Sequence, residues 1–263
     1  MPLHGLNHIN IELSSRCDKN CGFCGHQDPS INTSLTFGDM PLGLLRKIRD
    51  QLPPGIIVQF HRDGEPLMYP ALGIALELFD GFITSIVTNG KQLVSRAEEL
   101  IDNCTTITVS AFHGDPDGPA QLDTVAEFLR LKGTRAPMVN IKFVGGIDLP
   151  GYRELGVPIL TRALHVPEGD IRYAHRDPTI PEVGICLSFL SQPSVDWRGH
   201  LYICNRLDPN KGGYLGDLTT QRLDHLWNST QRQRWLEAHK RGLREEAAPL
   251  CRTCLFYGVP TPA

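Results

Sequence analysis

The sequence predicts an α/β fold: a partial (β/α)6 TIM-like barrel followed by a small cysteine-rich domain. Over the first two-thirds of the chain, short β-branched segments alternate with segments of helical spacing. This alternation is typical of a parallel sheet covered by helices. Near residue 180 the pattern changes, because "RDPTIPEVG" holds two prolines and a glycine and the later strand and helix patterns are short. We therefore predict a barrel over residues 1–180 and a second domain over residues 181–263.

The barrel is predicted to contain a series of short strands with helices between them. The strands are residues 7–13, 56–60, 83–88, 105–110, 138–143 and 162–166. The apolar stripes that indicate helices are Leu42, Leu45, Ile48 and Leu52; Leu72, Leu76 and Phe79; Leu93, Ala97, Leu100 and Ile101; and Leu122, Val125 and Leu129. The Gly- and Pro-rich link after the fifth strand predicts only a short helix, and residues 219–242 are predicted to be helical. In such barrels, reactive groups collect at the carboxyl ends of the strands.

The composition is that of a globular enzyme rather than of a nucleic-acid-binding or membrane protein. Of the 263 residues, 41% are hydrophobic and 21% charged, and the formal net charge is −3, so no basic surface for nucleic acid is indicated. No apolar run reaches the roughly 18–20 residues that span a bilayer, and the amino terminus lacks a signal peptide. We predict a cytoplasmic protein whose 8 cysteines stay reduced. Cys104 stands alone and is predicted to be a buried structural thiol.

Three cysteines, Cys17, Cys21 and Cys24, follow the first predicted strand closely. Thiolates are ligands of iron–sulfur clusters, which usually take four cysteines. Three thiolates on one short loop can bind three irons of a [4Fe–4S] cluster and leave the fourth iron open to a small molecule, as a catalytic metal site keeps one position open. The alternative is a zinc site in which His26 completes the three cysteines.

The C-x-x-x-C-x-x-C spacing, with Phe23 directly before the last cysteine, resembles that of the radical S-adenosylmethionine (SAM) enzymes. The resemblance covers about residues 7–170. It implies that Cys17, Cys21 and Cys24 hold a [4Fe–4S] cluster whose open iron chelates the methionine end of SAM, with Phe23 beside the adenine. It also implies cleavage of SAM to methionine and a 5′-deoxyadenosyl radical, and a strong reductant such as flavodoxin or ferredoxin.

Short segments at the ends of the next three strands carry the same resemblance. "HRDGEPLMYP" is similar to the family's Gly-Gly-Glu-Pro stretch, although Asp63 stands where the first glycine commonly lies. The similarity implies that Gly64 and Glu65 meet the methionine ammonium of SAM. "TNG" implies that polar groups near Asn89 face the cofactor, and Ser110 matches a position that contacts the ribose or the carboxylate.

The later cysteines resemble the SPASM/Twitch carboxyl-terminal extensions of radical SAM enzymes. Gly199 precedes one of these cysteines, and "LGDL", "LWNS" and a C-x-x-C pair follow it. Four late cysteines are similar to the shorter Twitch form, which implies a second, auxiliary [4Fe–4S] cluster that moves electrons. Its ligands would be Cys186, Cys204, Cys251 and Cys254. The alternative is a structural zinc ribbon.

The substrate of such an enzyme is set by its pocket and not by the cluster motif. The architecture is similar to that of the radical SAM aminocyclitol dehydrogenases that oxidise 2-deoxy-scyllo-inosamine. This similarity implies dehydrogenation or epimerisation of a small hydroxylated molecule such as an aminocyclitol or sugar. Peptide or protein modification is the alternative, although the early first strand leads us to expect no leader-binding module. A more distant alternative is a non-catalytic iron–sulfur electron carrier, which would need no SAM pocket.

Candidate substrate residues lie just after the second strand and between the two domains. His61 and Arg62 occupy the first place, and Arg172, in the segment "RYAHR", occupies the second. A guanidinium group can anchor a hydroxylated or anionic substrate, and a histidine can accept a proton. We expect a small-molecule or peptide substrate and no nucleic-acid or membrane partner.

Overall fold

In the part of the chain that the structure describes, nine strands form one mixed sheet. The structure is a computed structural model, and it describes residues 3–25, 35–145, 148–162, 185–252 and 254. The strands are β1 His8–Ile11, β2 Ile57–Phe60, β3 Ile83–Thr88, β4 Thr106–Phe112, β5 Met138–Val144, β6 Ile159–Arg162, β7 Ser194–Val195, β8 His200–Tyr202 and β9 Tyr214–Asp217. Their order is β6-β5-β4-β3-β2-β1-β7-β8-β9. Strands β1 to β6 pair in parallel, each with the next along the chain, as a partial barrel requires.

The helices that cover the sheet are short. They are α1 Leu42–Arg49, α2 Leu72–Leu78, α3 Ala97–Leu100, α4 Gly118–Lys132, α5 Pro150–Arg153, α6 Leu187–Ser191, α7 Leu223–Trp227, α8 Thr230–Lys240 and α9 Pro249–Arg252. Two 3-10 turns, Pro66–Met68 and Arg244–Glu246, complete the described helical elements. Within the described residues, no helix is both long and apolar enough to cross a membrane.

Two element predictions were wrong in their bounds. The sixth strand begins at Ile159 and not at residue 162, and residues 163–166 of the predicted strand lie outside the described residues. The predicted helix over 219–242 is instead two helices, α7 and α8. The break occurs because the side chain of Ser229 accepts a hydrogen bond from the backbone N–H of Arg232 and so begins a new helix.

One face of the parallel strands forms the hydrophobic core beneath the helices. Alternate residues of a strand point to the same face, and the core-facing set is almost fully buried. It comprises Ile9, Ile11, Val58, Phe60, Ile86, Ile107, Val109, Val139, Ile141 and Phe143. The rings of Phe60 and Phe79 meet edge to face with their centroids 5.5 Å apart, which packs the segment after α2 against the sheet.

The opposite face of the same strands is polar and forms the inside of the barrel. Gln59 of β2 donates to the hydroxyl of Ser85 on β3 at 3.3 Å. Burial, together with the charges of Lys142 on β5 and Arg162 on β6, lowers the pKa of His61, directly after β2. In a flat sheet, β2 and β6 would be about 19 Å apart, so this interaction shows that the sheet curls and brings its polar face inward.

The carboxyl-terminal strands extend the barrel sheet instead of forming a separate one. Strand β7 pairs in parallel with β1, while β8 and β9 continue antiparallel. The backbone N–H of Glu12, one residue beyond β1, also donates to the carbonyl of Val195 at 2.9 Å. The predicted domain boundary near residue 180 lies outside the described residues and stays a prediction.

A buried tryptophan and the arginine stacked on it attach the carboxyl-terminal region to the amino terminus. Trp227 is fully buried, and its Nε1 donates to the carbonyl of His4 at 3.0 Å. The guanidinium of Arg232 lies 3.4 Å from the centre of the Trp227 ring and donates to the carbonyl of Leu190 at 2.9 Å. Such a desolvated cation–π contact contributes about 2 kcal/mol.

Candidate metal centres and active site

The leading trio of cysteines lies on the loop that leaves the carboxyl end of β1. The backbone N–H of Cys24 donates to the carbonyl of Cys21 at 2.9 Å, which holds two of the thiols on one turn. Burial is the main reason that the pKa of Cys21 rises to about 12, and the nearby Cys24 and Cys17 raise it further, against the opposing charge of Lys19. The three thiols thus interact electrostatically, and bound iron would supply the positive charge that stabilises their thiolates.

The loop of the trio lies directly against the "GEP" turn, because Gly64 has no side chain. A Cβ atom at this position would lie 2.2 Å from the carbonyl oxygen of Ser14 and 2.5 Å from the Cα of Ser15. The next residue, Glu65, donates its backbone N–H to the carbonyl of Arg16 at 2.7 Å. Only glycine permits this approach of two backbones, and the two turns therefore fix each other's position.

The carboxylate of Glu65 joins the "GEP" turn to the "TNG" turn. Oε1 accepts from the N–H of Leu67 at 2.9 Å and from the hydroxyl of Thr88 at 2.8 Å. Oε2 accepts from the N–H of Asn89 at 2.7 Å. Burial raises the pKa of Glu65 to about 7, although these hydrogen bonds favour the carboxylate. The contact of Gly64 and Glu65 with a methionine ammonium stays a prediction.

The side chain of Asn89 connects the "TNG" turn to the trio. Its Nδ2 donates to Oδ1 of Asp18 at 2.7 Å and lies 3.9 Å from the sulfur of Cys17. Gln92 donates to the second oxygen of Asp18 at 3.1 Å, and Lys91 donates to its carbonyl at 3.1 Å. The turn therefore holds the start of the cysteine loop, and the predicted orientation of Asn89 toward a cofactor stays a prediction.

Gln121 on α4 supports the "TNG" turn, and the sequence reasoning missed this residue. It is almost fully buried, and its Nε2 donates to the carbonyls of Asn89 and Ser110, the latter at 3.0 Å. Its Oε1 accepts from the hydroxyl of Tyr152. The signal in the sequence is a polar residue four positions before Val125, on the buried side of the helix.

The ends of β4 and of the cysteine loop meet through aromatic rings. Phe23 contacts Phe112, the last residue of β4, edge to face at 4.9 Å between centroids. The Lys19 ammonium lies 5.2 Å from the centre of the Phe112 ring. Ser110 is on the inner face and pairs across the strands with Lys142. The predicted contacts of Phe23 with adenine and of Ser110 with ribose or carboxylate stay predictions.

Glu12 is a buried acid that the sequence reasoning missed. Its carboxylate joins the loop after β2 to the turn after β7. Its Oε1 accepts from the N–H of Asp63 at 3.2 Å and its Oε2 from the N–H of Trp197 at 3.1 Å. Burial raises the pKa of Glu12 to about 7, against the effect of the nearby Arg62. The guanidinium of Arg62 pairs with Asp63 at 2.7 Å. An acidic residue directly after an apolar strand was the available signal.

Arg62 extends from this cluster into the second domain. Its Nε donates to the hydroxyl of Ser194 at 3.3 Å, and that hydroxyl donates to the carbonyl of Cys204 at 2.6 Å. Its guanidinium also lies 4.5 Å from the centre of the Tyr202 ring. The side chain is only 7% exposed. Arg62 thus connects the loop after β2 to a cysteine of the late quartet, and its predicted contact with substrate stays a prediction.

The late quartet comes together from the ends of three separate elements. Its members precede α6, follow β8, lie in α9 and follow α9: Cys186, Cys204, Cys251 and Cys254. Burial is the main cause that raises the pKa of Cys204, to about 12, and the nearby Cys186 and Cys254 raise it further. Arg206 favours its thiolate and donates to the carbonyl of Leu250 at 2.7 Å. The thiols therefore lie within electrostatic reach of one another beside a fixed positive charge.

Iron–sulfur clusters and single zinc ions make different demands on their cysteine ligands. Within the described ranges, no three His, Cys, Asp or Glu side chains converge closely enough to hold one metal ion. A zinc ion needs all its ligand atoms within about 2.0–2.3 Å of one point, whereas each cysteine of a four-iron cluster binds a different iron. His26, the fourth ligand of the zinc alternative for the trio, lies outside the described residues.

Of the remaining predicted residues, the structure places His61 on the inner face of the barrel. Its backbone N–H donates to the carbonyl of Ile11 at 3.2 Å. Burial, with the nearby cations Lys142 and Arg162, lowers the pKa of His61 well below its usual value, so the imidazole is neutral near pH 7. Arg172 and the rest of "RYAHR" lie outside the described residues, and the substrate role of both sites stays a prediction.

Comparisons with known proteins agree with this arrangement. Residues 186–255 match the family model of SPASM, an iron–sulfur cluster-binding domain. The crystal structure of BtrN in complex with AdoMet and 2-DOIA is similar, with 19% identity, coverage of 95% of this chain and 92% of that chain, and a TM-score of 0.62. SuiB of Streptococcus suis bound to the precursor peptide SuiA is also similar, with 15% identity, coverage of 95% and 70%, and a TM-score of 0.59.

A second structure of SuiB, bound to S-adenosylmethionine, matches at 15% identity, with coverage of 91% of this chain and 68% of that chain and a TM-score of 0.56. No curated protein sequence matches the chain. The SPASM match begins at Cys186 and includes Cys254, and the fold confirms the predicted partial barrel. The chain therefore has the fold of radical SAM enzymes, followed by a SPASM-type iron–sulfur cluster-binding domain.

Proposed function

We propose that the chain is a radical SAM enzyme that removes a hydrogen atom from a substrate C–H bond. The observation that carries this proposal is the setting of the cysteine trio. Gly64 fits against the trio's loop with no room for a side chain, and Glu65 and Asn89 hold that loop from the next two strand ends. An electron carrier would need a cluster, but it would not need the "GEP" and "TNG" turns that hold the cysteine loop.

A reduced [4Fe–4S] cluster with SAM bound at its open iron supplies a 5′-deoxyadenosyl radical. The residues of this chain would hold and orient these groups. Cys17, Cys21 and Cys24 would bind the cluster, while Asn89 positions the start of their loop through Asp18. Phe23, held edge-on by a neighbouring ring, would limit the motion of the adenine.

The reaction that we propose is dehydrogenation or epimerisation of a small hydroxylated molecule such as an aminocyclitol or sugar. The similarity to BtrN supports it, because that protein is matched over 92% of its length and was solved with AdoMet and 2-DOIA. In a dehydrogenation, a carbinol carbon loses a hydrogen atom, its hydroxyl loses a proton, and one electron must leave. The neutral imidazole of His61 can accept the proton, and the quartet would hold the electron acceptor.

Peptide modification is the second candidate, and one observation favours it. SuiB, solved with its precursor peptide SuiA, shares the fold. The present chain spans a smaller share of SuiB than of BtrN, 70% against 92%, and we therefore place the small-molecule reaction first. In either case we propose a cytoplasmic enzyme that receives electrons from flavodoxin or ferredoxin.

Anoxic reconstitution with iron and sulfide, followed by incubation with SAM and dithionite, tests the proposal. We expect 5′-deoxyadenosine to form with the wild-type chain and not with Cys24→Ala. Cys104→Ala is the matched control, because Cys104 is a buried core residue whose thiol donates to the carbonyl oxygens of Thr84 and Thr106. Cleavage that persists in Cys24→Ala, or that never occurs in the wild type, would contradict the assignment.

The role of the quartet needs a separate measurement. Cys251→Ala should leave SAM cleavage largely intact, because the trio is unaltered, while iron content falls by about one four-iron cluster. Net oxidation of substrate should fall with it if the auxiliary cluster accepts the electron. Unchanged iron content, or zinc in place of iron in the wild type, would show that the quartet is a structural zinc site.

A further inference from the structure

The inner face of the barrel carries a group of basic side chains near the carboxyl ends of the strands. We call Lys142, Arg162 and His61 the basic patch. Lys142 lies two residues before the end of β5, Arg162 is the last residue of β6, and His61 follows β2 directly. The patch therefore lies at the edge of the sheet from which the cysteine loop and the "GEP" and "TNG" turns also emerge.

The sheet register places the members of the patch on one face. Lys142 pairs with Ser110 of β4 on one side and with Leu160 of β6 on the other. Arg162 lies two residues beyond Leu160, so its side chain leaves the same face of the sheet. Both charges act on His61 from across the barrel, which places all three groups around one space.

Nothing acidic among the described residues neutralises the patch. The side chains of Lys142 and Arg162 make no hydrogen bond or ion pair with any described residue, and the charged neighbour that acts on Lys142 is Arg162 itself. Two acids at the same edge, Glu12 and Asp63, are occupied by Arg62 and by backbone N–H groups.

Positive charges that gather in a partly desolvated space repel one another and lose hydration. Burial and the charge of Arg162 lower the pKa of Lys142 to about 8. The free-energy cost of this repulsion and desolvation is offset when an anion binds between the two cations. Lys142 is partly exposed and Arg162 exposed, so the space is open to a ligand. Perturbed basic groups inside a barrel near its reactive edge are a functional-site signature.

We propose that the basic patch binds an anionic group of the substrate, so that the substrate is a small molecule bearing a phosphate, sulfate or carboxylate. The planar guanidinium of Arg162 can bind two oxygens of such a group side by side, and the ammonium of Lys142 adds a point charge. His61, close to both, can contact a neighbouring hydroxyl. This inference rests on the proposed function, because it names the substrate class of that site.

Inorganic phosphate, titrated into the anoxically reconstituted protein at pH 7 and followed by calorimetry, tests the proposal. Both side chains would make charge-assisted hydrogen bonds to the anion, so Lys142→Gln and Arg162→Gln should each weaken binding about tenfold or more. Lys142→Arg should retain most of it. Lys132→Gln is the control, because Lys132 is exposed at the end of α4 and contacts only carbonyls there. Glucose 6-phosphate should likewise bind more tightly than glucose.

Three results would overturn the proposal: no phosphate binding by the wild type, equal binding by Lys142→Gln and wild type, or a loss of SAM affinity in Lys142→Gln as large as the loss of phosphate affinity. The last result would assign the patch to the carboxylate of SAM. SAM cleavage without phosphate binding would remove this inference and leave the proposed function standing. If phosphate binding requires the patch but the protein does not cleave SAM, the anion site stands and the proposed function is contradicted.

Discussion

The backbone N–H of Asn89 donates to Oε2 of Glu65 at 2.7 Å, and this bond connects the ends of two neighbouring strands beneath the cysteine loop. Because the same carboxylate also accepts from Leu67 and Thr88, Glu65 is a structural centre of the candidate site. Asn89 in turn reaches Asp18 within the loop. The position of the first thiol therefore depends on a carboxylate that is buried far from it in sequence.

Glu65→Gln should destabilise the protein and loosen the cysteine loop. An amide supplies one acceptor where the carboxylate supplies two, and its NH2 group would face a backbone N–H. An unsatisfied buried donor costs about 1–3 kcal/mol, which in a chain of this size lowers the midpoint of thermal unfolding by about 2–12 °C. Circular dichroism measures the shift. Glu127→Gln, at an exposed acid of α4, should leave the midpoint unchanged, and equal midpoints for both variants would contradict this role.

Gly64→Ala should prevent the trio from binding iron normally. The added Cβ would overlap backbone atoms of Ser14 and Ser15, and backbone cannot move aside as a flexible side chain can. Overpacking of this kind costs about 1–3 kcal/mol, and iron content and SAM cleavage should fall together. Gly43→Ala is the matched control, because a Cβ there meets no atom within 4 Å and alanine favours the helix by about 0.5–1 kcal/mol. Full iron content in Gly64→Ala would disprove the close approach.

Arg62→Gln should weaken the junction of the two domains. The substitution leaves Asp63 and Glu12 without their buried partner and removes the hydrogen bond to Ser194. Breaking one side of a buried ion pair costs about 3–5 kcal/mol, and chemical denaturation should show the loss. Arg130→Gln, at an exposed pair with Glu127, is the comparison and should show little change. If Arg62→Gln retains full stability but loses substrate affinity alone, Arg62 acts as a substrate ligand.

Binding of an anion to the basic patch should depend on pH. The pKa of Lys142 is lowered to about 8, so the ammonium is present below that pH and is lost above it. The groups that face it are Arg162 on β6 and Ser110 on β4, with His61 and His8 across the barrel. Sulfate keeps a constant charge over this range and is the suitable probe. Its affinity should be constant between about pH 6.5 and pH 7.5 and should fall above about pH 8, by no more than tenfold per pH unit.

The variant Lys142→Arg supplies the control for that measurement, because a guanidinium stays protonated throughout the range. Its sulfate affinity should be flat up to about pH 9. Since a bound anion stabilises the ammonium, the decline in the wild type should begin near the pKa of the free protein, about 8, and should level off near the higher pKa of the complex. A decline of the same size in Lys142→Arg would show that another group titrates.

Local patterns in the sequence predicted much of the fold. β-Branched segments placed the first five strands within a few residues, because alternation along a strand is read from neighbours in the chain. Bounds that depend on caps were predicted less well, as Ser229 shows by dividing one predicted helix into two. The end of the first predicted strand placed the three cysteines in the loop that follows it, and the structure has that loop there.

Contacts between distant parts of the chain were beyond the sequence. Glu12, Gln121 and Ser194 belong to no motif, and each acts through partners that strand order and curvature bring close. The continuation of the barrel sheet into β7, β8 and β9 was likewise unpredicted, because the parallel pairing of β1 with β7 leaves no local signal.

The sequence by itself determined the chemistry that the chain can hold: three thiols on one turn, four more in its last third, and alternating strands and helices. Only the tertiary structure decided what surrounds that chemistry, namely the carboxylate of Glu65 under the loop, Arg62 between the domains, and the cations of β5 and β6 facing His61. The physical reason is that residue type and spacing act along the chain. Burial, charge and hydrogen bonding act through space, and the curl of the sheet sets those distances.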